Sequence, residues 1–337
     1  MLEIAENPKI FLICGSINQT TQMHQIAKEL AACSVSFSPY YGDSLLAGLR
    51  ALGLVEPTIG GNKMRQRCLA YLEAQGLDVD LDGRRGGYDL VITCTDLVVP
   101  KNVRRLPLMV VQEGILDPEN YLAPLVKRFP HALPRWLAGT AATGLSGLYD
   151  RFCVASDGYR EHFIANGAPA DRVVVTGMPN FDDCARFLDN DFPHRGYVLA
   201  CTSDARETLK LDDRQAFIQN SVEIAGQRPL FFKLHPNEKI ERATAEINAW
   251  APGARVFSEG PTEHMVANCD VLITQFSSVV FVGLALGKEL HSYYPLDELK
   301  RLMPLQNRSA AKNIAHECRQ LLAARTQLAE NLSREVA

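Results

Sequence analysis

Cys269-Asp270-Val271-Leu272-Ile273-Thr274-Gln275-Phe276-Ser277-Ser278, running on through Val279-Val280-Phe281-Val282-Gly283-Leu284-Ala285-Leu286-Gly287, decides how the chain is read. Val271 to Thr274 is a short apolar, β-rich run of the kind that forms a strand buried on both faces. The segment behind it has room for about three helical turns closed by Gly287. A strand therefore feeds a helix through a polar turn. With Ser277 or Ser278 as N-cap, the first unpaired N–H groups of that helix point out of the carboxyl end of the sheet, where open α/β folds bind phosphate. Two serines that merely cap a core helix give the same local pattern, so the rest of the chain has to decide.

The same alternation runs outward in both directions. Lys9 to Cys14 reads as a first strand, followed by a Gly15-Ser16 turn and a helix from about Gln22 to Ala32. Val35 to Ser38, Tyr88 to Cys94, Pro107 to Val111, Arg151 to Ala155 and Val173 to Val175 are further strands, with helices at Lys63 to Gln75 and Tyr159 to Asn166. After the Gly/Pro turn Thr176-Gly177-Met178-Pro179, strands restart at Tyr197 to Cys201, Leu230 to Leu234 and Arg255 to Phe257. Helices lie between them, and another spans Thr262 to Asn268. Strands alternating with helices at this spacing predict parallel sheets with helices on both faces. The expected division is 1–185 and 196–320, each a Rossmann-like domain, with a helical tail over 321–337; two α/β domains would face each other across a cleft.

With 337 residues, 47% hydrophobic and 22% charged, the chain is too long for one ordinary core and has the composition of a globular protein. A net charge of −4 gives no overall attraction to nucleic acid. No apolar run approaches the roughly 20 residues that span a bilayer. The start, Met1 to Glu6, is acidic where a secretory signal would be basic, so the expected location is the cytoplasm. Nine cysteines form no CxxC pair, and Cys14, Cys94, Cys201 and Cys269 lie in or beside apolar strands. They read as reduced core residues, with neither disulfide nor zinc expected. Between Tyr121 and Tyr149 an apolar stretch is broken by Pro124, Pro130, Pro134, Gly139, Gly144 and Gly147 and carries Lys127, Arg128, Arg135 and Trp136. It reads either as loop and short helix over a core, or as a surface that leans on the inner face of a membrane or on a lipid-linked acceptor.

Three pieces fall at predicted carboxyl ends of strands: Glu113-Gly114 in the first half, His235-Pro236 and Ser277-Ser278 in the second. Ligands of doubly wound sheets bind at those ends. Lys233 shares a strand face with His235 and could add positive charge, or be a bystander. Ser16, Asn18 and Gln19 stand where a Rossmann loop would hold phosphate, but there is no GxGxxG, which leaves an acceptor-side loop or a plain turn.

On these residues the second half resembles the donor-binding domain of GT-B glycosyltransferases. The branch is that of bacterial sialyl- and polysialyltransferases, capsule Kdo transferases and CDP-glycerol glycerophosphotransferases. An acidic-Gly, a His-Pro and a Ser-Ser motif are matched by Glu113-Gly114, His235-Pro236 and Ser277-Ser278. The resemblance implies a metal-independent transferase without a cofactor. It would move a sugar from a CMP- or other nucleotide-sugar donor to a glycan or lipid-linked acceptor, in capsule, lipopolysaccharide or other surface polysaccharide synthesis. Glu113 would be the general base. His235, also counted as catalytic, would contact the nucleotide phosphate, and Ser277 and Ser278 would hold it. Pro236, Gln275, Thr202, Ser203, Gly177 and Lys233 would complete the donor side. Gln275 stands where the glycerophosphotransferases carry Asp.

Two other classes stay open. Non-hydrolysing UDP-N-acetylglucosamine 2-epimerases share this architecture, with a Glu-Ala-Gly, a His-Pro-Asn and a Ser-Gly-Gly turn followed by paired glutamates. Glu113-Gly114 and His235-Pro236-Asn237 fit that pattern, whereas Val279 to Gly283 is uncharged. A non-catalytic nucleotide-binding subunit of a polysaccharide assembly complex would keep His235, Ser277 and Ser278 and turn nothing over.

Overall fold

The computed structural model describes residues 7–56, 58–116, 119–129, 133–208 and 211–336. Pro130 and the acidic start Met1 to Glu6 lie outside the described residues. The chain divides into two compact units, Met1–Asp182 with Asn307–Ala337, and Asp183–Gln306.

The first unit is built on β1 (Lys9–Ile13), α1 (Ile17–Lys28), β2 (Ser34–Ser38), α2 (Ser44–Ala51), α3 (Asn62–Ala74), β3 (Leu90–Thr93), β4 (Leu108–Val111), α4 (Ala123–Arg128), β5 (Arg151–Val154), α5 (Asp157–Ala165) and β6 (Val173–Val175). Its strands form one parallel sheet in the order β2-β1-β3-β4-β5-β6. Every residue of β3 and β4 is buried, which is why these strands read as unbroken apolar runs rather than as alternation. The helix expected from Gln22 begins at Ile17. The Ser16 hydroxyl accepts the Gln19 N–H at 3.2 Å, so the polar residues taken for a loop form the first turn instead.

The second unit holds β7 (Val198–Cys201), α6 (Arg214–Ala225), β8 (Leu230–Lys233), α7 (Ile240–Trp250), β9 (Arg255–Phe257), α8 (Thr262–Asn268), β10 (Val271–Thr274), α9 (Val280–Ala285), β11 (Glu289–Ser292) and α10 (Leu296–Leu302). Its parallel sheet runs β11-β10-β7-β8-β9 over a core of Val198, Phe217, Ile218, Phe232, Ile247 and Ile273, among others. Both units are doubly wound and Rossmann-like, as the alternation predicted.

Two expectations are corrected by packing. The second unit ends at Gln306, not at 320, and the remaining segment is no separate tail. In α11 (Ala310–Val336), Ile314, Ala315, Cys318 and Leu322 join the first unit's core, with Ile10, Leu12, Met23, Ile92 and Met109. Asp182 fastens that return, its carbonyl accepting from Arg308 N at 3.1 Å and its carboxylate from Ala310 N at 2.9 Å. The helix behind Ser277-Ser278 is also short, six residues rather than three turns, and starts at Val280. The carbonyls of Ser277 and Ser278 accept from Val280 N and Phe281 N, and Ser277 Oγ accepts from Val279 N at 3.5 Å, so the serines form a tight turn ahead of a helix whose N-cap is Val279.

Eight of the nine cysteines are buried, among them Cys14, Cys94, Cys201 and Cys269. Among the described residues no helix is long and apolar enough to cross a membrane, and no cluster of His, Cys, Asp and Glu could hold a metal ion.

Candidate functional site

In the first unit the chain reverses direction across the sheet between β1 and β3, the kind of switch point beyond whose strand ends doubly wound sheets bind ligands. Ser16 lies beyond β1 and Glu113 beyond β4. Ser16 Oγ donates to Glu113 Oε1 at 2.9 Å, and Gln19 Nε2 donates to Glu113 Oε2 at 2.7 Å. Both carboxylate oxygens therefore act as acceptors, an arrangement that suits the ionised form. Gly15 is required beneath it: a Cβ there would stand 1.8 Å from Gln19 Oε1. The turn carrying Glu113 is fixed by buried Gln112, whose Oε1 accepts from Ala155 N at 2.9 Å and whose Nε2 donates to Gly114 O at 3.0 Å. Its main-chain carbonyl accepts from Gln22 Nε2 at 3.0 Å. Burial pushes the neighbouring Cys94 thiol well above its ordinary pKa, and the charge of Glu113 adds to the shift, so Cys94 stays neutral.

Asn18 takes part through its carbonyl, which accepts from Asn180 Nδ2 at 2.8 Å. Gly177, grouped above with the donor side, belongs to the first unit, in the turn after β6 with φ +86°.

In the second unit the switch point lies between β7 and β10. Ser203 Oγ beyond β7 donates to Gln275 Oε1 beyond β10 at 2.6 Å, and Gln275 Nε2 donates to Asp212 Oδ1 at 2.7 Å. Gln275 is buried, with its amide bound by protein on both ends. It ties two loops together. Behind it runs a shielded charge network. Arg214 Nε donates to Asp212 Oδ2 at 3.0 Å, Nη2 donates to Ser203 O at 2.8 Å, and Nη2 stands 2.9 Å from Glu238 Oε1. Burial raises the Glu238 pKa, while Arg214 and hydrogen bonds from Thr202 and His235 N pull it down.

His235 follows β8. Its N–H donates to Thr202 Oγ1 and to Glu238 Oε2, each at 3.0 Å. Its Nδ1 accepts from Asn237 N at 3.2 Å, so the neutral ring carries its proton on Nε2. Asp204 Oδ2 accepts from Asn237 Nδ2 at 2.9 Å, which fixes the turn whose Asn237 N–H meets the ring. Pro236 is exposed beside it, and Ser277 and Ser278 are half-buried.

Lys233 does not supply the charge expected of it. Its ammonium is buried and donates to the carbonyls of Leu234 and Ser258 at 3.1 Å each. Desolvation holds its pKa below the usual lysine value. Sequence reasoning missed Gln112, Asp212, Arg214 and Glu238. The available signal for the last was an acidic residue three positions after His235 in a turn; nothing local marked Arg214.

The sequence matches no family model and no curated protein. Several solved structures share its fold. A UDP-N-acetylglucosamine 2-epimerase from Rickettsia bellii superposes with a TM-score of 0.55 at 11% identity, covering 94% of this chain and 96% of its own. The corresponding enzyme from Neisseria meningitidis, bound to UDP-GlcNAc, gives 0.55 at 12% identity, with 93% and 91% covered. The Anabaena protein HepE, in complex with UDP and glucose, gives 0.50 at 13% identity, with 97% and 100% covered. At such identities the likeness establishes the fold, which is GT-B-like with two Rossmann-like halves. It also corrects the expected branch. The recurrent neighbours are 2-epimerases, which are isomerases and not sialyltransferases. The transferase expectation is withdrawn, and with it the glycan or lipid-linked acceptor and the acceptor-side role given to Ser16, Asn18 and Gln19.

Proposed function

We propose that the chain is a nucleotide-sugar epimerase that inverts the carbon next to the anomeric centre. The observation that carries this reading is Glu113, a carboxylate beyond the carboxyl end of β4 whose two oxygens are both held by donors from the loop and helix that follow β1. Inverting a carbon that bears hydrogen requires a proton to leave one face and return on the other. An oriented carboxylate is suited to take it. Ser16 and Gln19 aim that base. His235, with its proton on Nε2, and the hydroxyls of Ser277 and Ser278 provide donors for the nucleotide phosphates. The fold shared with 2-epimerases, two of them in complex with UDP-GlcNAc, supports the same substrate class.

A second reading, a nucleotide-binding subunit without turnover, is favoured by one observation. Val279 to Gly283 is uncharged, and Val280 to Gly283 is buried, so the start of α9 offers no second carboxylate. Incubating the protein with UDP-N-acetylglucosamine in D₂O and following the sugar by proton NMR separates the two. Epimerisation places deuterium at C2 and produces a second epimer, and Glu113→Gln slows both by roughly 10²–10⁴-fold with UDP affinity retained. His235→Ala weakens UDP binding in calorimetry. Tight UDP binding with no exchange at C2 supports the subunit.

A further inference from the structure

We propose that the second unit carries a binding site for a free, uncharged saccharide, in a groove over β10 and β11 bordered by α6 and α10. The groove holds about 360 Å³, near the lower end of the range that ligand sites occupy, which suits a ligand of one or two rings. Ile273 and His291 are register partners on β10 and β11. Ile273 packs with Phe217 and Ile218, so both side chains stand on the face of the sheet that α6 covers. Asn220 reaches the groove from α6, while Tyr293, Leu296 and Leu299 line it from the turn after β11 and from α10. Glu113, His235, Ser277 and Ser278 are not among its lining residues, so the site stands whether or not the chain is an epimerase.

The lining selects the class of ligand. It contains no Lys, Arg, Asp or Glu, so a phosphate or carboxylate would enter without a countercharge. The polar groups it does hold are neutral and of both kinds. Glu289 Oε1 accepts from His291 Nε2 at 3.0 Å, so the neutral imidazole keeps Nδ1 as an acceptor. The Asn220 amide has no hydrogen-bond partner among the described residues and offers both donors and an acceptor. Hydroxyl groups, which donate and accept, match such a set. Beside these groups Tyr293 is 50% exposed and Leu296 44%. Phe276 meets the Tyr293 ring at 82° with 5.3 Å between centres, which braces it. A pyranose has a face of C–H groups and a rim of hydroxyls. A braced phenol among neutral donors and acceptors fits both.

The test is saturation-transfer difference NMR on the full chain, with N-acetylglucosamine, N-acetylmannosamine and glucose each at about 10 mM and uridine as the aromatic control. Transfer to at least one sugar is expected, at millimolar affinity, as suits a small ligand held by a few neutral hydrogen bonds. The signal should persist when UDP is added in excess. Asn220→Ala/Leu296→Trp removes the amide and fills the groove, and should weaken sugar binding at least about tenfold with the circular-dichroism melt in place. Asn220→Ala alone, at an exposed helix position, should weaken it in the same direction and keeps the test decisive if the double variant misfolds. The proposal is overturned by absence of transfer to all three sugars, by transfer that the folded variants leave unchanged, by stronger transfer to uridine than to any sugar, or by displacement of the sugar on adding UDP.

Discussion

Replacing Arg214 by Met removes the cation from the shielded network of the second unit. Arg214, Asp212 and Glu238 side chains are all 3% exposed or less. Asp212 would keep Arg206, at 3.4 Å, and the Gln275 amide. Glu238 would keep the neutral donors Thr202 Oγ1 and His235 N, so a buried carboxylate loses its countercharge. Breaking a buried pair in this way costs about 3–5 kcal/mol. For a unit of about 120 residues that corresponds to a fall in Tm on the order of 12–20 °C. The pH dependence gives a sharper test. Burial already raises the Glu238 pKa above its ordinary 4.5, and Arg214 opposes that rise. Without Arg214 the folded pKa climbs further. A raised carboxylate penalises the fold as pH rises from its unfolded value through its folded one, and the penalty vanishes below both. The deficit of Arg214→Met should therefore be largest near pH 7.5 and shrink toward pH 5, where Glu238 takes up a proton. Urea melts followed by circular dichroism at several pH values measure this. Arg214→Met/Glu238→Met should recover more than half of the loss. A deficit below about 1 kcal/mol at pH 7.5, or one that does not change with pH, would refute the account.

Gly15→Ala should leave stability within about 1 kcal/mol but push Gln19 off Glu113, since the clash is with a flexible side chain. With the base no longer held from both sides, C2 exchange should slow by roughly 10–100-fold with UDP affinity retained, and an unchanged rate would remove Gln19 from the site. Thr274 is fully buried and its hydroxyl has no hydrogen-bond partner among the described residues. Thr274→Val should raise stability by about 1 kcal/mol in calorimetry, and a loss of the same size would reveal a hidden partner. Lys233→Met should leave UDP affinity within about twofold by titration calorimetry, because its ammonium is spent on two carbonyls; a loss greater than about tenfold would return it to the phosphate site.

The strands were legible because parallel sheets covered on both faces demand continuous apolar runs, and Leu90 to Thr93 or Val271 to Thr274 admit little else. Glu113, Ser16, Gln19 and His235 were legible by position, at strand ends where polar residues have few structural uses. The helix behind Ser277-Ser278 was misjudged because serine favours both a cap and a turn, and only the hydrogen bonds of their carbonyls tell which is formed. Lys233 misled because strand periodicity says which way a stem points and nothing of where its ammonium ends. The Arg214 network spans four loops and helices distant in sequence, and pairing of that kind exists only once the sheet has assembled. The C-terminal segment read only as a helical tail, because Ile314, Ala315, Cys318 and Leu322 are set among polar residues and no local pattern says that the first unit's core receives them.

That last helix bears on how the protein is made. During synthesis residues 7–182 emerge first, carrying six strands with a bare place where Ile314 and Cys318 belong. At ordinary rates the ribosome needs on the order of ten seconds to deliver them. Through that interval Met109 and its neighbours lie uncovered while the second unit, continuous in sequence, can already close on itself. The half that begins first is the half that finishes last, and its exposed sheet is the surface a nascent-chain chaperone would meet.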